Sequence, residues 1–372
     1  MIMNRTLVSS TAWLFSLLAA LDATTSVATE PAISAIQTDF DRSSLSISGN
    51  GFGDGPKVIV YDTFDSNDRI AGEPVQLSAS QIGSWTEIHE FNIPTYSNVS
   101  RSGNNSAKVF DGATQKTNAI RLKFDGTKEF YVSYWIYLEG PKYFPGDQVQ
   151  APRTFAEDSS FKMLWVFDTD VVGRSSDVVL PTHVGGGRFY LAGNDANLVT
   201  DVGNEWWSWD HWMRISFWLK ANPNNPTEPG IIHFDTLSED KGHTQRVYNV
   251  PVFDEDGPVE KQYQQMNFPG WIRSIQNSKT NILYDDIYVS AGPNASARIE
   301  LGNAPYLDKV TQLELLTIES WSDTNIQARV STVENKYIKN LYLYVTNGNG
   351  ETNIKGIPLI SPPAKIESMS VE

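Results

Sequence analysis

Aromatic rings and cations alternate along "WMRISFWLK" (Trp212–Lys220). Read with a period of two, Trp212, Arg214, Ser216, Trp218 and Lys220 fall on one side. Met213, Ile215, Phe217 and Leu219 fall on the other. Successive strand residues point to opposite faces, so the pattern predicts a core-facing apolar row backed by indoles and cations. An indole packs on the C–H face of a sugar ring, while guanidinium, ammonium and amide groups bond its hydroxyls. Burying each ring contributes on the order of 1–2 kcal/mol at about 25 cal/mol per Å². This chemistry suits a glycan, and the interleaved cations favour an anionic one.

The same alternation recurs in other segments. Phe130, Val132, Tyr134, Ile136 and Leu138 oppose Tyr131, Ser133, Trp135 and Tyr137. Phe189 and Leu191 oppose Arg188, Tyr190, Ala192 and Asn194, and Ile232 and Phe234 oppose Ile231, His233 and Asp235. In "FKMLWVF", Phe161, Met163, Trp165 and Phe167 oppose Lys162, Leu164 and Val166. The mixed rows nominate Trp135, Tyr137, Tyr190, Trp212 and Trp218 for stacking. Lys162, Arg188, Asn194 and Arg214 would supply polar contacts. The competing expectation is that loops 140–158 and 222–230, or a second domain, cover these rows and make the rings part of a core.

Three catalytic chemistries can be checked against the sequence. A polysaccharide lyase neutralises a uronate carboxylate and removes the neighbouring proton. Arg188, Arg214 or Lys162 could do the first, and His183, His233, Tyr190 or Tyr248 the second. Retaining glycoside hydrolysis needs two carboxylates about 5 Å apart. No Glu-x-Asp-x-Glu strand supplies them, since "EIHE" and "FDEDG" have other spacings. Nucleophilic hydrolysis lacks a G-x-S-x-G turn, and no His pair has metal-ligand spacing.

The elements that must position these residues are strands. Strand-like runs punctuated by Gly, Pro and Asn/Asp clusters fill the chain, and helical periodicity is scarce. A chain of 372 residues can hold two or three domains. Net charge is −15, which argues against nucleic acid or an anionic membrane as the main partner. Cysteine is absent, excluding disulfides and thiol chemistry. Residues 1–28 carry Arg5, the apolar run "TLVSSTAWLFSLLAAL" and small residues at "SVA", the pattern of a cleaved export signal, with an uncleaved anchor as the alternative. The expected location is extracellular, periplasmic or on the cell surface, with no membrane contact after cleavage.

Residues 32–62 alternate and then break at "GNGFGDG". This stretch resembles the opening of an IPT/TIG domain, an immunoglobulin-like sandwich. Near the other end, "WSDTNI" and "LYVTNGNG" resemble its second half. The expected organisation is therefore an Ig-like domain split between 29–62 and 297–361, an insert at 63–296 and a tail at 362–372.

The insert resembles concanavalin A-like jelly rolls of lectins, laminarinase-type glucanases and polysaccharide lyases. The resemblance rests on "WDHWMRISFWLKAN…GIIHFD" and the closing "YDDIYVS". It implies an all-β fold. It also implies a structural calcium ion where first and last strands meet, with Asp62, Asp65, Asp285 and Asp286 as candidate ligands. No other cofactor is expected. Alginate-lyase-type segments "R-x-E-x-R" and "Q-[IV]-H" are absent, and "GGRFYLAGND" matches "Y-F-K-A-G" only loosely.

Binding of an extracellular polysaccharide is the leading expectation. The alternatives are a lyase acting on a uronate glycan by β-elimination, and a structural subunit of a surface layer, filament or adhesin assembling through the Ig-like domain.

Overall fold

A computed structural model describes residues 30–39, 43–88, 93–110, 116–117, 120–139, 161–167, 178–183, 188–192, 199–201, 210–221, 229–251, 262–269, 271–272, 281–330 and 341–359. The export signal, the tail, Asn194 and the loop 140–158 lie outside these residues, as does most of loop 222–230. The fold is all-β, and the described residues contain one short 3₁₀ turn, Leu307–Lys309, and no α-helix.

Two nine-stranded antiparallel sheets form a jelly-roll sandwich. Sheet I runs in the order Gly242–Pro251, Pro229–Ser238, Trp212–Lys220, Glu129–Leu138, Ile282–Ala291, Val58–Asp62, Ile82–Gly83. Ser106–Phe110 pairs with Ile282–Ala291, and Thr95–Ser97 pairs with Ser106–Phe110. Sheet II runs Val199–Asp201, Arg188–Ala192, Val178–His183, Phe161–Phe167, Tyr263–Phe268, Ile120–Thr127, Glu87–Ile88. Trp271–Ile272 and Lys116–Thr117 complete it.

The apolar rows expected on Glu129–Leu138 and Trp212–Lys220 face sheet II and are buried, as are Ile232 and Phe234. Leu164, Val166, Met266 and Phe268 meet them from the opposite side. The Tyr284 hydroxyl donates to the Met163 carbonyl at 2.7 Å across the sandwich.

One strand departs from simple alternation. The register slips between Lys162 and Leu164. Leu164 and Val166 therefore enter the core together with Met163, while Trp165 and Phe167 are half-buried. A bulge inserts one residue and reverses the parity of the residues beyond it, which corrects the faces expected for "FKMLWVF".

A smaller sandwich packs two four-stranded sheets. One holds Ala32–Asp39, Ser44–Asn50, Asn325–Arg329 and Thr317–Trp321. The other holds Leu313–Leu315, Arg298–Gly302, Tyr342–Thr346 and Ile357–Pro358. Leu45, Ile47 and Phe52 share its core with Ile299, Ile326, Leu343 and Val345. The two segments "GNGFGDG" and "WSDT" touch. Trp321 Nε1 donates to the Gly53 carbonyl at 3.1 Å, and Gly53 N donates to Asp323 Oδ1 at 2.9 Å. A Cβ on Gly55 would lie 2.5 Å from Trp321 Cβ, so the close approach requires glycine there. Val58–Asp62, grouped by sequence with the small sandwich, pairs instead with Ile282–Ala291 in sheet I.

Candidate functional site

The mixed face of sheet I is where the small sandwich docks. Tyr61, Tyr131, Trp218 and Tyr288 cluster with Ala295 and Leu315. Trp135 and Leu237 cluster with Val310, Leu313 and Tyr344. Trp135 and Trp218 are each 3% exposed and Arg214 is 4% exposed. The expectation that these three line an open glycan surface is thereby corrected: the second domain covers them. Trp218 Nε1 donates to Glu129 Oε1 at 3.1 Å. Gly350 has φ +78°, and a Cβ there would lie 2.5 Å from the Trp218 ring, so the indole fits against bare backbone.

Charge at this interface is matched rather than free. Arg214 donates to Ser133 Oγ at 2.7 Å, Tyr131 Oη at 3.1 Å and Glu300 Oε1 at 2.5 Å. Arg298 Nε donates to Glu300 Oε2 at 3.0 Å, and its guanidinium lies 4.7 Å from the Tyr131 ring centroid. Burial alone would raise the Glu300 carboxyl, but Arg298 and Arg214 hold it below the ordinary glutamate range. His233 is half-buried with its ring 4.7 Å from that of Trp218, and burial lowers its pKa. An imidazole placed there belongs to the interface.

Two of the expected stacking rings keep partial exposure. Tyr137 and Trp212 are half-buried, with ring centroids 5.5 Å apart. They border a cavity of about 860 Å³ between the jelly roll and the small sandwich.

The face of sheet II directed away from the core assembles a different set. Asn267 opposes both Trp165 and Arg121, and Gln265 opposes both Phe167 and Lys123. Lys162 opposes Pro181, His183 opposes Arg188, and Tyr190 opposes Asp201. Val179 opposes Trp165 on one side and Ala192 on the other. The strands that carry Lys162, His183, Arg188 and Tyr190 belong to sheet II, and the side chains of these four residues lie outside the described ones. Lys123 is exposed, Arg121, Trp165, Phe167 and Gln265 are half-buried, and Asn267 is buried. Gln265 Nε2 donates to Asn267 Oδ1 at 3.2 Å, and Arg121 Nη1 pairs with Glu87 Oε2. Trp165 and Phe167 rings stand 5.1 Å apart.

Lys162, His183, Arg188 and Tyr190 thus belong to strands of sheet II, while Trp135, Tyr137, Trp212, Arg214, Trp218 and His233 lie on sheet I. Sequence reasoning passed over Arg121, Lys123, Gln265 and Asn267. Their signal was present in "IRLKF" and "QMNF", where polar residues alternate with Ile120, Leu122, Met266 and Phe268.

The candidate calcium ligands also separate. Asp62 is fully buried and accepts from Phe64 N, Arg69 Nη1, Ser80 N, Ser80 Oγ and Trp85 Nε1. Those donors take up the carboxylate, so Asp62 is corrected to a structural anchor. Asp65, Asp285 and Asp286 are held together by the loop Ser100–Asn105. Among the described residues no group of three or more His, Cys, Asp or Glu is arranged to hold a metal ion.

No family model matches the chain, and no curated protein matches it significantly. Solved structures give weak likenesses. The marine PL-14 alginate lyase from Aplysia kurodai has 11% identity and a TM-score of 0.36, covering 56% of this chain and 92% of that one. Cellulose induced protein Cip1 has 13% identity and a TM-score of 0.34, covering 62% and 96%. The Lotus tetragonolobus seed lectin has 8% identity and a TM-score of 0.30, covering 62% and 97%.

Proposed function

We propose that the chain binds an anionic, uronate-containing polysaccharide outside the cell, through the outer face of sheet II. One observation carries this reading: strand register aligns Arg121 and Lys123 with Trp165, Phe167, Asn267 and Gln265 on one face. Cations meet uronate carboxylates, amides meet hydroxyls, and the rings meet C–H faces. Among the described residues Lys123 is the exposed cation of this face, and Arg121 beside it is ion-paired with Glu87. The small sandwich, read as an IPT/TIG-like module, serves as a rigid base, and residues 1–28 are read as an export signal.

A second reading, β-elimination, is favoured by the strand register, which sets His183 opposite Arg188. These residue types can supply a charge neutraliser and a proton acceptor.

Affinity electrophoresis in gels containing alginate or pectate tests the proposal. The wild type should be retarded, and Arg121→Ala with Lys123→Ala should abolish most of the retardation. Absence of retardation across a panel of polyuronates would overturn it. Growth of ultraviolet absorbance from unsaturated product would promote the lyase reading over simple binding.

A further inference from the structure

The cavity between the two domains has features that glycan binding on sheet II does not use. They begin with "YDDIY". The pairing of Glu129–Leu138 with Ile282–Ala291 sets Ser133 opposite Tyr288 but Trp135 opposite Asp285, so the latter strand carries an extra residue. Asp286 sits at that bulge with φ +47°. Bulges redirect side chains, and a non-glycine residue at positive φ is uncommon. Tyr284 and Ile287 both enter the core, and both intervening carboxylates point away from it.

The loop Ser100–Asn105 then fixes the acidic groups. Arg101 N donates to Asp285 Oδ2 at 2.7 Å, and Asn104 N and Asn105 N donate to Asp65 Oδ1 at 2.6 and 2.9 Å. Ser102 Oγ donates to Asp286 Oδ1 at 2.9 Å. Asp286 Oδ2 is buried without a partner, although Asp286 is only 7% exposed and lies on the cavity wall. A buried carboxylate oxygen left unpaired is costly, and a ligand cation or a proton relieves the cost. Burial and Glu314 raise the Asp286 carboxyl to about 7, against the opposing pull of Arg101.

The nearest cation is already engaged. Arg101 is ion-paired with Glu314, and its guanidinium lies 4.2 Å from the Trp135 ring centroid. Arg329, on the same wall, pairs with Glu319 at 2.6 Å. Asp65, Glu239, Asp286 and Glu314 leave the lining with an anionic surplus, and Trp212 presents a half-buried ring beside them. The volume, about 860 Å³, falls within the range of small-molecule sites. No three ligating side chains among the described residues converge as a metal would need.

We infer that this interdomain cavity binds a short saccharide bearing protonated amines, with Trp212 against a ring's C–H face and Asp286 Oδ2 accepting from an ammonium. Acidic walls repel the polyuronates proposed for sheet II, so the two sites take ligands of opposite charge. The inference goes beyond the sheet II reading and stands independently of it.

Isothermal titration calorimetry with a glucosamine tetramer tests it on the full chain. The wild type should bind. Asp286→Asn and Trp212→Ala should each weaken binding at least tenfold, with circular dichroism confirming that both variants fold. The N-acetylated tetramer, equal in length but uncharged, should bind at least tenfold more weakly. No binding of the amine tetramer to wild type overturns the inference, as does binding that Asp286→Asn leaves unchanged. Calcium binding that Asp286→Asn removes, without amine binding, would identify a metal site instead. Polyuronate retardation reads sheet II separately, so failure of one proposal is not mistaken for failure of the other.

Discussion

Arg214 and Glu300 form a buried ion pair that joins the jelly roll to the small sandwich, their side chains 4% and 1% exposed. Glu300 also accepts from Arg298, so one carboxylate serves two guanidiniums. Removing one member of such a set leaves the others charged without compensation, at a cost of about 3–5 kcal/mol. Glu300→Ala should lower unfolding stability by this amount in urea titrations. Replacing Arg214, Arg298 and Glu300 together with apolar residues should recover much of the loss. A Glu300→Ala variant as stable as wild type would show that the two domains do not dock in this way.

The same carboxylate gives the interface an acid limit. Glu300 titrates below its unfolded value, so below the ordinary glutamate range the unfolded chain binds the extra proton. Its contribution is complete above that range and disappears as pH falls through the folded value. The stability gap between wild type and Glu300→Gln should be wide at about pH 7 and shrink at about pH 3. A gap that does not change with pH would contradict this assignment.

Trp218 separates an interface residue from a ligand platform. The ring is buried between Glu129 and Gly350, and truncating a buried aromatic costs about 3–5 kcal/mol. Trp218→Ala should therefore depress the melting temperature strongly. Trp212→Ala, at the half-buried cavity mouth, should depress it much less. Equal small effects would restore the open-face reading that sequence alone suggested.

Alternation along Glu129–Leu138 and Trp212–Lys220 was legible because each strand buries one purely apolar row. The cover over the opposite row was not legible. Trp218 meets Gly350 and Arg214 meets Glu300, residues far along the chain whose approach depends on domain docking. Bulges hid two further facts. The slip after Lys162 turned Leu164 inward, and the one at Asp286 turned two neighbouring carboxylates outward. No periodicity announces a bulge beforehand, because an inserted residue leaves each flanking half of the strand looking regular. The sheet II cations were present in "IRLKF", yet they carried no tryptophan to draw attention.

Asp286 should also oppose stability at alkaline pH. Its folded pKa, about 7, lies above the ordinary aspartate value of 3.8 because of burial and Glu314. Between those values the folded chain binds the extra proton, so stability is greatest on the acid side and declines as pH rises toward 7. Asparagine keeps the shape and removes the charge. Asp286→Asn should therefore be more stable than wild type at about pH 8, with the advantage shrinking toward about pH 5. Asp65, Asp285, Arg101 and Glu314 surround the group and are common to both proteins, so the difference between the two melting curves reads Asp286 together with its repulsion of Asp285. An asparagine variant that is less stable than wild type at alkaline pH would mean that the ionised carboxylate is held by a favourable partner. The idea of an uncompensated charge facing the cavity would then be wrong.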